Sequence, residues 1–249
     1  MALHFLLDAG ADAAVGDTVA LTGPEAHHAA AVRRVRIGEE VTLGDGRGTW
    51  LTGEVSASAP REVLVRVRSR RSVAPPERRI ILVQALAKGD RDELAVQAAT
   101  ELGVDGIVPW QASRSVSRWD AAKAEKGRLR WESIVREAAK QAHRAWIPTV
   151  QPLETTAALA ARARDALVLV LEPTAVESLS GLSAPGGDVT PDRRDLVLVV
   201  GPEGGIAPEE LAVLEAAGAR AMRLGETVLR TSTAGPAALA VLNVALRRW

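Results

Sequence analysis

Two adjacent prolines, Pro75 and Pro76, divide this chain between two kinds of hydrophobic pattern. Neither can donate a ladder hydrogen bond, and together they stiffen an extended connection. Residues 73–77 therefore read as a linker between one domain at 1–72 and a second at 78–249, a division that 249 residues can support. Ahead of the linker, segments rich in Val, Leu and Thr at 17–21, 40–43, 49–56 and 63–68 predict short strands. Gly16-Asp17 and Asp45-Gly46 are turn signals between them. Val63, Val65 and Val67 alternate with Leu64, Arg66 and Arg68, so one face of that strand can be buried while the other offers cations. A single helix is expected near 24–35, with Pro24 in its first turn. The region reads as a small barrel or sandwich.

Beyond the linker, strands alternate with helices. Residues 80–86 form an apolar run broken only by Gln84, as in a strand buried on both faces. A helix is expected over 90–102, with Asp90 as its cap, Glu93 in a capping-box relation and Gly103 as its stop. A strand at 106–110 precedes a long helix at 121–145, whose apolar face is Trp131, Ile134, Val135, Ala138 and Ala142. Next come a strand at 166–171, a short helix at 174–179 and a Gly/Pro/Asp-rich surface loop at 181–195. A strand at 196–200, a helix at 208–217, a strand at 219–224 and a helix at 235–246 complete the chain. This order predicts an α/β domain with a mainly parallel sheet covered on both sides.

Composition serves mainly to exclude. The chain has no cysteine, which removes disulfides and thiolate metal sites. Its four histidines form no His-Glu-x-x-His pattern, so no metal is expected. No Gly-x-Ser-x-Gly elbow marks an acyl-transfer serine. The first residues lack the basic start of a secretory leader, and no apolar run approaches the ~18 residues of a membrane helix. A cytoplasmic protein with no membrane partner is expected. The net charge is zero but unevenly spread: residues 1–32 hold Asp8, Asp12, Asp17 and Glu25 without a Lys or Arg, whereas 61–79 hold seven arginines against Glu62 and Glu77. Binding to phosphates depends on where cations lie, so this suits an RNA partner as well as plain solvated strand faces.

Three loops that follow apolar strands have the composition of a site: Glu172-Pro-Thr174, residues 201–206 and residues 225–231. In an open parallel sheet, ligands bind beyond the carboxyl ends of the strands. Gly201, Gly204 and Gly205 let the backbone approach a ligand closely. The phosphate fingerprints are absent, and Glu203, Glu209 and Glu210 would repel a phosphate, so a cationic or neutral ligand is favoured. A tight turn without a ligand is the alternative. Residues 223–234 place Arg230 among Gly, Thr and Ser, either as a fixed cation or as a surface residue. Glu137, Lys140, Gln141 and Arg144 share a helix face, which is also the spacing of ordinary surface ion pairs.

Taken together these segments resemble the SPOUT methyltransferases, and within them the family that methylates N3 of a uridine in 16S ribosomal RNA, ribosomal small-subunit methyltransferase E. The similar stretches are His28-Ala-Ala-Ala-Val-Arg-Arg-Val-Arg36, Gln84-Ala-Leu-Ala-Lys-Gly89, Glu101-Leu-Gly103, Glu137 through Arg144, Ile147-Pro148, Leu198-Val-Val-Gly-Pro-Glu-Gly-Gly-Ile206, and Arg223-Leu-Gly through Leu229-Arg-Thr231. They run nearly end to end. The resemblance implies a PUA-like RNA-binding β-barrel at 1–72, a SPOUT-type parallel sheet with a C-terminal trefoil knot at 78–249, a homodimer, and 16S rRNA or the small ribosomal subunit as partner. Knots are exceptions to general folding rules, and no periodicity reveals one. It implies S-adenosyl-L-methionine as cofactor, held by Leu171, Glu172, Gly201, Pro202, Glu203, Gly204, Gly205, Ile206, Leu224, Gly225, Leu229 and Arg230. The chain departs from the family at Ser232, where Glu is usual, and at Ala142-His143, where Ser-Gly is frequent.

Uracil N3 must lose a proton before it attacks, which spreads charge onto O2 and O4. Arg144 and Arg230 are the expected catalytic residues, stabilising that charge in the manner of an oxyanion site. Glu203 is a candidate base on geometry alone. Arg33, Arg34, Arg36, Arg114 and Arg118 are expected to bind RNA, with Trp119 available to stack on a base. The alternatives are a SPOUT 2′-O-ribose methyltransferase of tRNA or rRNA, a non-catalytic RNA-binding protein, and an ordinary nucleotide-binding α/β enzyme.

Overall fold

The computed structural model of the chain describes residues 2–183 and 193–249. These form two compact units, Met1–Pro76 with Ala139–Ile147, and Glu77–Ala138 with Pro148–Trp249. The segment 139–147, expected in the second domain, thus groups with the first.

In the first unit the elements are β1 (Leu3–Leu6), β2 (Thr18–Thr22), α1 (Gly23–His27), β3 (Glu40–Gly44), β4 (Thr49–Ala59) and β5 (Glu62–Ser72). They build one sheet in the order β1-β3-β4-β5-β2. Its pairings are antiparallel except β1 with β3. Phe5, Leu43, Leu51, Val55, Val63, Val65 and Val67 form its core, and Arg66 and Arg68 face outward as the alternation requires. Register shifts at Thr52/Gly53 and Val55/Ala57 break the β4–β5 ladder, and such irregularities bend a sheet toward a barrel. The helix expected over 24–35 is shorter: after one turn of α1 the chain widens into a π-helical turn, His28–Val32. The unexpected β1 buries His4, Phe5 and Leu6 in succession, so it shows no alternation.

The second unit contains β6 (Ile80–Ala85), α2 (Arg91–Glu101), β7 (Gly106–Trp110), most of α3 (Ala121–Gln141), β8 (Thr149–Val150), α4 (Thr156–Ala161), β9 (Ala166–Leu171), β10 (Asp195–Val200), α5 (Pro208–Ala216), β11 (Arg220–Met222) and α6 (Thr231–Ala245). The sheet runs β11-β9-β10-β6-β7-β8 with every pairing parallel. Ile81, Val83, Val197 and Val199 pack with Leu159 of α4 and Leu214 of α5 on one face. On the other, α2 packs on β6, α6 on β10, and the two helices on each other. β6 is buried at all six positions and β10 at all but the first.

Several expectations change. Asp90 precedes α2 but makes no side-chain cap bond. Asp92 accepts instead, from the backbone N–H groups of Ala87 (3.0 Å) and Glu93 (2.9 Å), and burial pushes its carboxyl pKa up. No helix forms at 174–179, because Glu172 Oε1 accepts from the N–H and hydroxyl of Thr174, turning the chain. Glu177 and Leu179 then pair with Arg223, and a 3-10 turn follows at Leu179–Ser183. Of the loop expected at 181–195, residues 184–192 lie outside the described residues. α3 stops at Gln141 rather than 145, whereas α6 begins at Thr231 rather than 235. Strand β8 and helix α4 are too short to show a period in the sequence. No helix among the described residues is long and apolar enough to cross a membrane.

Candidate active site

Strands β11, β9 and β10 are neighbours, so the three loops singled out by composition leave one corner of the sheet together. The Glu172 N–H donates to Met222 O at 3.0 Å, and the Arg223 N–H donates to Glu177 O at 2.8 Å, which joins the first loop to the third. The middle loop folds tightly on itself. The Gly205 N–H donates to Pro202 O at 2.9 Å, and Gly205 has φ +71°, a left-handed conformation that favours glycine. A Cβ on Gly201 would stand 2.7 Å from Ile206 Cγ1, so a side chain there would force the loop open. The three loops enclose a pocket of about 400 Å³ with Val200, Pro202, Ile206, Leu224 and Leu229 among its apolar lining. That volume lies within the ~300–1,000 Å³ usual for small-molecule sites.

Two acids and two bases line the pocket, Glu172, Glu203, Arg91 and Arg230. Glu203 Oε1 accepts from Arg91 Nη1 at 2.8 Å and from the Lys88 N–H at 3.1 Å. Burial alone would raise the Glu203 pKa, but hydrogen bonds from its own backbone, Arg91 and Lys88 outweigh it and hold the group below its ordinary value. An ionised carboxylate so engaged is a weak proton acceptor, which counts against Glu203 as the base. Arg230 is exposed and forms no ion pair among the described residues. The balance of charges suits a zwitterionic ligand better than a polyphosphate. Among the described residues no group of three or more His, Asp or Glu is placed to hold a metal.

The profile of the RNA methyltransferase domain matches residues 74–243, and that of the RNA methyltransferase PUA domain matches residues 21–68. A ribosomal RNA small subunit methyltransferase E of Mycobacterium tuberculosis is 44% identical over 254 residues, covering 100% of this chain and 94% of the relative. The enzyme of that name in Bacillus subtilis is 32% identical, covering 91% and 90%. The chain belongs to the ribosomal RNA small subunit methyltransferase E family. The family's crystal structure from Neisseria gonorrhoeae, bound to S-adenosyl methionine, superposes with a TM-score of 0.82 at 28% identity, over 98% of this chain and 97% of that one.

Of the positions assigned to the family's cofactor contacts, Leu171, Glu172, Gly201, Pro202, Glu203, Gly205, Ile206, Leu224, Gly225, Leu229 and Arg230 all line the pocket. Gly204 does not line it; its carbonyl accepts from Arg114 Nη1 at 3.1 Å. Arg230 lines the pocket, whereas Arg144 belongs to the first unit and is not among the lining residues. Arg33, Arg34 and Arg36 are exposed on the first unit, Arg114 and Arg118 on the second. Trp119 is less free than expected. Its ring lies against Gly127 of α3 and edge-on to Trp131, with centroids 5.5 Å apart.

To the expected contacts the structure adds Arg91, Pro173, Val200, Thr227, Val228, Thr231 and Ala234 as lining. Thr231 ends the Leu229-Arg-Thr231 stretch, so the sequence carries a signal for it. Arg91 had none, being 112 residues from its partner Glu203. At the family's Ser-Gly position, His143 adopts φ +54°, where glycine would carry no strain.

Proposed function

We propose that this protein is an S-adenosylmethionine-dependent methyltransferase that modifies N3 of a uridine in the 16S rRNA of the small ribosomal subunit. The observation that carries this reading is the pocket: three loops at adjoining carboxyl strand ends enclose it, in a family with a solved structure bound to S-adenosyl methionine. When bound, the cofactor supplies a methyl group already activated on a sulfonium. The chain's own work is therefore alignment. Backbone groups of residues 201–206 and 225–231 hold the donor, while the apolar lining excludes water. The nucleophile must then reach the methyl carbon in line at ~3–3.5 Å. The Arg230 guanidinium, which lines the pocket and has no ion pair among the described residues, stabilises charge on the deprotonated uracil, with Arg144 as a second candidate. The exposed arginines at 33, 34, 36, 114 and 118 grip RNA phosphates. The reading includes a cytoplasmic homodimer and a trefoil-knotted second domain.

The deciding experiment is methyl transfer from labelled donor to small-subunit RNA taken from cells lacking this protein, followed by mapping of the product. Label on N3 of one uridine is the expected result. Label on a ribose 2′-oxygen would overturn the base assignment, and absence of both transfer and donor binding would leave an RNA-binding protein.

A further inference from the structure

Gln84 is the sole polar residue of β6, and it is fully buried. Its Nε2 donates to Thr231 Oγ1 at 2.9 Å and to Ala85 O at 3.1 Å. The Thr231 hydroxyl in turn donates to Gly201 O at 2.8 Å. A carbonyl only accepts and a hydroxyl has a single proton, so the relay runs in one direction, from amide to hydroxyl to carbonyl. This leaves Gln84 Oε1 buried with no hydrogen-bond partner among the described residues. An orphaned buried acceptor is unfavourable, and one that persists calls for an explanation.

The ends of the relay supply it. Gly201 opens the loop after β10, and Thr231 closes the loop after β11 where α6 begins. The two glycine-bearing turns of the pocket are thus joined to each other and to a central strand that adds no side chain to the pocket wall. We propose that Gln84 is a positioning residue for the methyl donor: acting through Thr231, it sets the spacing of the two turns that hold the ligand. The inference rests on the methyl-donor reading of the pocket. Gln84 is absent from the lining, so it acts on the donor only indirectly, and Thr231 is the lining residue with which its side chain shares a hydrogen bond.

Calorimetry with S-adenosylmethionine on the full chain tests this with Gln84→Met, Thr231→Val, the double variant and Thr231→Ser. Each of the first two should weaken binding by about tenfold, the worth of one net hydrogen bond. The double variant should lose about the same tenfold, because one relay is broken twice. Thr231→Ser keeps the hydroxyl and should recover part of the loss. In turnover, KM for the donor should rise while KM for RNA stays constant. Wild-type affinity in folded Gln84→Met, or a double variant weaker by about a hundredfold, the product of the singles, would overturn the proposal. Should Gln84→Met not fold, equal affinities for Thr231→Val and Thr231→Ser would overturn it as well. A wild-type chain that binds no donor overturns the functional reading and this inference with it, whereas wild-type binding with unaffected variants overturns the relay alone.

Discussion

The two sheets use similar residues to opposite ends. In the first unit β5 hides Val63, Val65 and Val67 and shows Arg66 and Arg68, so its other face carries exposed cations. In the second, β6 and β10 are buried on both faces, and the accessible backbone is confined to the loops beyond their ends. Antiparallel pairing tolerates one wet face, while parallel strands need cover on both. An extended surface fits a polymer such as RNA, and a cluster of strand ends fits a small molecule. The first sheet thus presents exposed cations on a strand face, and the second a pocket at its strand ends.

The largest expected effect tests whether the first unit depends on a buried charge pair. Lys140 Nζ lies 3.0 Å from Glu25 Oε1, with side chains 4% and 9% exposed. Lys140→Met leaves the carboxylate uncompensated and should cost about 3–5 kcal/mol in urea unfolding followed by tryptophan emission. A loss under about 1 kcal/mol would show that the pair contributes little. Next in size, Arg230→Ala and Arg144→Ala should each lower turnover by ~10²-fold. A loss confined to Arg230→Ala would assign the chemistry to the second unit, a loss in both would spread it over the two units, and near-normal turnover in both would remove these arginines from the chemistry.

A pH effect sharpens the contrast from the side of the first unit. His4 stacks on Trp50 with centroids 4.4 Å apart, and its Nδ1 lies 3.0 Å from Thr42 Oγ1. Burial, then the charges of His143 and Lys140, lower its pKa from 6.5 to about 4. The folded state therefore keeps His4 neutral while the unfolded chain protonates it. Its contribution to stability is complete above pH 6.5 and is lost as the pH falls toward about 4. His4→Asn should flatten urea midpoints measured between pH 7 and 4.5, and an unaltered pH dependence would refute this account. The smallest effects belong to the exposed cations. Single alanines at Arg33, Arg34 and Arg36 should each reduce the salt slope of RNA binding by about one. Slopes that match the wild type would remove these residues from the interface.

Helix ends show what was legible. α2 and α3 close with the same pair of hydrogen bonds, the Gly103 N–H to Thr100 O and the Val104 N–H to Ala99 O in one, the His143 N–H to Lys140 O and the Arg144 N–H to Ala139 O in the other. Both are Schellman caps, with a left-handed residue just past the helix. Gly103 announced the first, so the end of α2 was read to within a residue. His143 carries no such signal, and the expected helix overran the observed one by four residues, to 145 rather than 141. The loops of the pocket were legible because glycine clusters after apolar strands are uncommon without a reason. Arg91 and Gln84 were not legible as parts of the site, since sheet order alone brings β6 and its following loop beside β10.

By itself the amino-acid order determined the change of architecture at Pro75-Pro76, the parallel character of the second sheet and the three loops at its strand ends. Those properties follow from periods and backbone restrictions that act over a few residues. Only the tertiary structure decided that Gly204 turns away from the pocket toward Arg114, that Arg91 restrains Glu203, and that Gln84 reaches Gly201 through Thr231. Each of these joins residues far apart in the chain, and their meeting depends on strand order, which local patterns do not encode.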